Sequence, residues 1–159
     1  NIPPDRRGLV HENDVAALQG WKKLLDEAFS TNLALNAKAS ASTVRGEADA
    51  YGAANLTDGK ADTYWATDDE VTTGSVEIVL TASTTVSYVT LKEFIKLGQR
   101  VKAFTLEAKV DGAWKQVAQG TTIGYKRILR LDGPVAAEAI RVNITESKAC
   151  PVLAEVEVY

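Results

Sequence analysis

An aspartate at the head of an Asp-Gly turn, Asp58, a threonine a little further on, Thr63, and a carboxylate near the far end of the chain, Glu155, have the chemistry that stands out. They sit in N-L-T-D-G-K-A-D-T-Y-W-A, residues 55–66, and V-L-A-E-V-E-V-Y, residues 152–159. Two carboxylates, a hydroxyl and the carbonyls around them are hard oxygen ligands, the kind that Ca2+ gathers in a flexible shell of about 6 to 8. The same residues also suit a polar turn in which Asp and Thr cap their own backbone with no metal. In both readings the stretch is a closed loop rather than a catalytic centre.

Catalysis has little raw material. The single histidine, His11, stands close to the N-terminus, and no Ser or Cys is placed beside a base, so a nucleophile triad cannot be assembled. Glycoside hydrolysis needs only two carboxyl groups about 5 to 9.5 Å apart. Asp68, Asp69 and Glu70 are adjacent, however, and three neighbouring acids read as a solvated turn. The only cysteine, Cys150, excludes an internal disulfide and, followed by Pro151, reads as a small half-buried loop residue rather than a reactive thiol.

The elements that must hold these residues follow from periodicity. Asn13 is placed as a helix N-cap with Asp14 in the first turn, and Val15, Leu18, Trp21, Leu25 and Phe29 recur at spacings of three and four. This predicts a helix over about 14–29 with one apolar face that needs a partner surface. Residues 30–32 break the pattern. Beyond them the period is two: Val76, Ile78 and Leu80, then Phe104, Leu106 and Ala108, then Ile140, Val142 and Ile144 alternate with more polar neighbours, which marks half-buried strands. Asp111-Gly112 and Asp132-Gly133 are turn signals. Short strands without a second helix predict an antiparallel sandwich.

With 159 residues the chain can form one domain with a real core plus a short appendage. A net charge of -3 gives no bulk field to recruit nucleic acid or anionic lipid, and no apolar run reaches the ~20 residues of a membrane span. The opening Asn-Ile-Pro-Pro carries no charged leader, which fits a targeting sequence lying upstream.

Beside the loop residues 55–66 and the terminal 152–159 stand N-L-A-L-N-A-K-A-S-A-S (32–42), L-K-E-F-I-K-L-G-Q-R-V-K-A-F-T-L-E (91–107), D-G-A-W-K-Q-V (111–117), G-T-T-I-G-Y-K-R-I (120–128) and A-I-R-V-N-I-T-E-S (139–147). In this order they resemble the discoidin, or coagulation factor 5/8 type C, family, which includes the family 32 carbohydrate-binding modules. The resemblance covers residues 32–159. N-I-P-P-D-R-R-G-L-V-H-E-N-D-V, residues 1–15, is similar to the segment that closes the catalytic barrel of family 29 α-L-fucosidases. Together they imply a C-terminal discoidin-like domain (32–159) with a remnant of a catalytic domain (1–31).

The resemblance implies an all-β fold, an eight-stranded antiparallel jelly-roll β-sandwich (galactose-binding-domain-like) with one N-terminal helix. It maps a structural Ca2+ onto side chains of Asp58, Thr63 and Glu155 and carbonyls of Asn55, Lys60 and Ala154. Sugar recognition would fall to loops 43–54, 66–73, 94–99 and 147–151 at one end, with Glu47, Tyr51, Asp68, Asp69, Lys96, Gln99 and Arg100 as the candidates. The chain departs from galactose binders, which often carry His directly after the Trp matching Trp65 and an aromatic three residues later; here these are Ala66 and Asp69. Trp65 is therefore expected in the core, and Trp114 at a sheet surface. L-G-Q-R, 97–100, recurs in fucosidase-attached domains, so Gln99 and Arg100 could instead hold the domain against its own catalytic barrel.

The expected function is a noncatalytic accessory domain of a bacterial, periplasmic or extracellular α-L-fucosidase, binding carbohydrate or bracing the catalytic domain. The nucleophile and acid of such an enzyme would lie upstream of Asn1. The alternative is a discoidin-type adhesion or lipid-binding module, disfavoured because the loops lack apolar spikes and a basic rim. No nucleic-acid partner is expected.

Overall fold

The computed structural model describes residues 4–159, so the first three residues of the barrel-closing resemblance lie outside it. The chain divides into two compact units that meet between Thr31 and Asn32.

The first unit is organised by a single helix, α1 (Glu12–Ala28). It starts earlier than expected because His11, not Asn13, is the N-cap: His11 is extended and its Nδ1 accepts the Asn13 N–H at 3.2 Å. Glu12 and Asp14 occupy the first turn, where the helix dipole favours anions. Lys22 pairs with Asp26 and Lys23 with Glu27 one turn on. The apolar stripe is in register, yet α1 has no buried residue and Trp21 is 62% exposed.

The second unit is a sandwich of seven strands: β1 (Lys38–Ala41), β2 (Trp65–Ala66), β3 (Gly74–Glu93), β4 (Val101–Val110), β5 (Ala113–Gly120), β6 (Arg127–Ser147) and β7 (Val152–Val158). All pairings are antiparallel, in the order β2-β7-β3-β6-β4-β5 with β1 also on β3. The expected eight strands appear as seven continuous ones because β3 and β6 each serve both layers. In β3, Val76–Val79 lies between β1 and β6, whereas Val89–Leu91 lies between β7 and β6. Register shifts between Val79 and Thr84 and between Val86 and Tyr88 separate these stretches, as bulges do where a strand bends. Asp132-Gly133 falls in the matching irregular part of β6 and does not end a strand.

The alternating positions point as expected. Ile78, Leu106, Ile140 and Val142 are fully buried, while Val79 faces outward. Trp65 is also fully buried, and its indole N–H donates to the Thr43 carbonyl at 2.9 Å. On an outer face the Arg141 guanidinium lies 3.8 Å from the Trp114 ring centroid and reaches Glu107 and Glu77, so Trp114 is at a sheet surface. Asp111 and Gly112 both have positive φ and close the β4–β5 hairpin with Val110 opposite Ala113. Asn32 fastens the start of the unit to its end, its side-chain oxygen accepting the N–H groups of Ala34 and Val158 at 3.0 Å each.

Packing density makes one position diagnostic. A Cβ added at Gly120 would meet the Phe104 ring at 2.6 Å, and that ring is buried and cannot move aside. Gly120→Ala should destabilise the domain by about 1–3 kcal/mol. At Gly133 an added Cβ meets nothing within 4 Å, and Gly133→Ala should stay within about 0.5 kcal/mol. Urea unfolding of both variants checks this; equal midpoints would contradict the packing argument.

Candidate functional site

The loop end expected to carry recognition contains a small cleft of about 270 Å3, lined by Arg45, Tyr51, Tyr64, Asp69, Leu97 and Arg100 among others. Three single-turn helices, Arg45–Glu47, Asp49–Tyr51 and Ala53–Leu56, shape its first loop. The first requires left-handed backbone at Gly46 and Glu47, and Asp68 stabilises it by accepting the Gly46 N–H at 2.9 Å.

Along one wall Tyr64 packs between two rings, tilted against Tyr51 at 5.5 Å and stacked on Phe94 at 4.3 Å. Burial pushes the Tyr64 phenol up from its ordinary pKa, with Tyr51 adding to the effect, so it stays a protonated donor. Along the other wall Arg45 grips Asp69 with two bonds of 2.6 and 2.9 Å. That grip holds the Asp69 carboxyl below the usual carboxylate range and raises the guanidinium. Arg100 closes the floor, its Nη1 donating to the Cys150 carbonyl at 2.9 Å and its Nε to the Leu97 carbonyl at 3.3 Å. Cys150 is buried rather than half-buried, its sulfur 2.8 Å from Arg100 Nη1.

Of the seven candidate sugar contacts, Tyr51, Asp69 and Arg100 line this cleft. Asp68 supports its rim, Glu47 and Gln99 are exposed, and Lys96 lies over the Phe94 ring at 5.7 Å. Arg45, Tyr64 and Phe94 were not singled out. Tyr64 was findable: next to a buried Trp65 in extended backbone, it must face the other way. Arg45 gives no local signal, since its partner is 24 residues away.

One residue outside every expected list organises these loops. Glu93 is 2% exposed at the end of β3, and its carboxylate accepts three backbone N–H groups: Arg100 at 2.7 Å, Val101 at 2.9 Å and Gly124 at 2.6 Å.

In the loop at 55–63, Asp58 Oδ1 accepts the Lys60 N–H at 2.9 Å, and Gly59 has the positive φ that the turn needs. The Thr63 hydroxyl lies 2.9 and 3.1 Å from the two Asp58 oxygens and 3.2 Å from the Lys60 carbonyl. The Lys60 N–H and the Thr63 hydroxyl thus share the two Asp58 oxygens and close the turn. The Asn55 side chain is used elsewhere, donating at 2.9 Å to the Ala50 and Tyr64 carbonyls. Glu155 is buried and engaged by Lys92, which also reaches Glu157 at 2.9 Å. Burial alone would push the Lys92 ammonium down, but the two carboxylates outweigh it and the net shift is up. Among the described residues no three His, Cys, Asp or Glu side chains converge as a metal cluster. The groups gathered in this loop are carboxylate, hydroxyl and carbonyl oxygens.

The F5/8 type C domain profile matches residues 36–156. The chain belongs to that family. An α-L-fucosidase of Arabidopsis thaliana is 28% identical, aligning with 100% of this chain and 32% of its own length. A family 29 fucosidase of Ruminococcus gnavus, solved in complex with fucose, is 31% identical with a TM-score of 0.89, over 100% of this F5/8 domain chain and 32% of its own. The chain thus spans about a third of the fucosidases it matches. A chitosan-binding module from a Paenibacillus chitosanase/glucanase matches 81% of this chain and 98% of its own at 28% identity and a TM-score of 0.72.

The Arg45–Asp69 grip makes a pH prediction. A carboxylate whose folded pKa is depressed contributes stability above its unfolded value, near 3.9, and loses it as pH falls through the folded pKa. The cleft should therefore keep one charge state from about pH 5 to 8. Carbon-13 titration of the Asp69 carboxyl should give a midpoint below the ordinary value, and Arg45→Ala should return it upward; an unchanged midpoint would remove Arg45 as the cause.

Proposed function

We propose that the chain is a noncatalytic accessory domain of an α-L-fucosidase, a glycoside hydrolase, and that it binds carbohydrate in the cleft of Tyr51, Tyr64 and Arg100. The observation that carries this reading is the pairing of an aromatic wall with a charged wall at the loop end of the sandwich. Rings take the apolar face of a pyranose, and fixed guanidinium and carboxylate groups take its hydroxyls. The likeness to fucosidases and to a chitosan-binding module supports it. At about 270 Å3 the cleft is below the ~300–1,000 Å3 of ordinary small-molecule sites, so it covers one sugar residue incompletely. Affinity in the millimolar range, about -4 kcal/mol, follows.

A bracing role has its own support. Val15, Leu18, Trp21 and Leu25 form an apolar stripe along α1, and a catalytic domain is a fitting partner for it. The two roles separate by titration calorimetry with fucosylated and galactosylated glycans. Tyr51→Ala and Arg100→Ala should each weaken binding measurably; no binding at millimolar glycan would leave bracing as the function.

We also propose a structural Ca2+ held by side-chain oxygens of Asp58, Thr63 and Glu155 with carbonyls of Asn55, Lys60 and Ala154. The ion would neutralise Asp58, share Glu155 with Lys92 and fix the loop. Because it binds only the folded state, its stabilisation grows with the logarithm of Ca2+ over its dissociation constant, about 2.7 kcal/mol at a hundredfold excess. The melting temperature should rise from chelator to millimolar Ca2+ in the parent chain and stay fixed in Asp58→Ala. A parent that does not respond would sink the metal.

A further inference from the structure

A second cleft of about 490 Å3, well inside the ~300–1,000 Å3 range of small-ligand sites, opens beside the first. Its lining includes Asp62, Phe94, Ile95, Lys96, Tyr125 and Lys126. Nothing in the family-like loop set or the cleft of Tyr51 uses Tyr125. We propose that this cleft is a second carbohydrate site, taking an acidic pyranose such as a hexuronic acid with Tyr125 as its platform. The inference rests on the carbohydrate-binding reading of the domain but not on the Tyr51 cleft.

Three observations carry it. Tyr125 is 76% exposed, the most open of the large apolar side chains, whereas Tyr51 is half-buried against Tyr64. An exposed aromatic ring lining the same cleft as Phe94 and Ile95 matches the C–H face of a sugar ring. The backbone that bears it is anchored: Tyr125 follows Gly124, whose left-handed backbone (φ +67°) is held by its N–H bond to the buried Glu93 carboxylate. A binding surface borne on a rigid turn loses little entropy when occupied.

Charge then selects the ligand class. The two carboxylates deepest in this lining are already satisfied, Glu93 by three backbone N–H groups and Glu155 by Lys92. On the rim Lys96 is poised over the Phe94 ring and Lys126 adjoins the platform, and neither has an ion pair among the described residues. Two available ammonium groups beside one aromatic platform fit a ring carboxylate, while Asp62 is left to accept from a hydroxyl. A neutral sugar would leave the ammonium pair unused.

The test is a nitrogen-15 NMR titration of the chain with D-glucuronic acid and, in parallel, D-glucose. Glucuronate should shift the amides of Tyr125, Lys126, Ile95 and Lys96 and bind more tightly than glucose. Tyr125→Ala, an exposed position where folding is not at stake, should weaken glucuronate roughly tenfold. K96A/K126A should erase the preference for glucuronate and its sensitivity to salt. Shifts confined to the Tyr51 and Arg100 cleft would overturn the second site and leave the first standing. Shifts at Tyr125 with none at Tyr51 would uphold it, the Tyr51 cleft being judged by the fucosylated and galactosylated glycans. Equal binding of both sugars at Tyr125 would overturn the acidic class, and no shifts with either sugar would overturn the inference outright.

Discussion

A carboxylate sealed inside the loop end of a β-sandwich is costly, because an ion removed from water without partners loses several kcal/mol of hydration. Glu93 meets that cost with three charge-assisted bonds from backbone N–H groups, two at the start of β4 and one in the turn that leads to β6. The same three bonds fix where two loops go. Phe94, the next residue, is thereby placed against Tyr64; Arg100 is placed to reach Cys150; and Tyr125 is placed next to the anchored Gly124. Both clefts therefore depend on one buried side chain, whose charge is taken up by backbone N–H groups. A neutral, shorter side chain at this position would leave three buried donors unmet, each at about 1–3 kcal/mol.

Three other cations are held by internal partners. Arg45 is committed to Asp69, Lys92 to Glu155 and Glu157, and Arg141 to Glu77, Glu107 and the Trp114 ring. Such internal pairs add little net stability when they are exposed, so their value lies in orientation. Arg45 and Asp69 hold each other in one geometry, and the cleft they border keeps its shape with no ligand present. A sugar seated there would have to compete with Asp69 for the guanidinium, which would keep affinity low.

Periodicity made the sandwich and its core legible: the alternating positions around Ile78, Leu106 and Val142 are buried as read, and Asp111-Gly112 makes the hairpin turn that its letters predict. Strand counting failed for a physical reason. β3 and β6 run through bends where the register shifts, and a bulge leaves no Gly or Pro punctuation that ends a strand, so Asp132-Gly133 read as a turn when it sits inside one. The helix was legible, but its cap was not, since an imidazole in the place of Ser, Thr, Asp or Asn is an uncommon cap. At the site, loops could be named from the resemblance, whereas Arg45 with Asp69 and Glu93 with Gly124 are joined only by the fold. Buried acids of this kind look in sequence like solvated ones, and only the three-dimensional supply of N–H donors tells them apart.

The loop at 55–63 and the cleft are not separate features. Asn55 ties the two together by donating to the carbonyls of Ala50, beside Tyr51, and of Tyr64, so the loop's ends carry two of the three stacked rings. Within the loop the Asp58 carboxylate takes both the Lys60 N–H and the Thr63 hydroxyl, which closes the turn. The proposed divalent cation would stiffen the span between Asn55 and Tyr64. Its effect on sugar binding would then pass through the positions of Tyr51 and Tyr64 rather than through any contact with the ligand. The metal and the glycan would bind to one preorganised end of the domain, each favouring the loop geometry that the other requires.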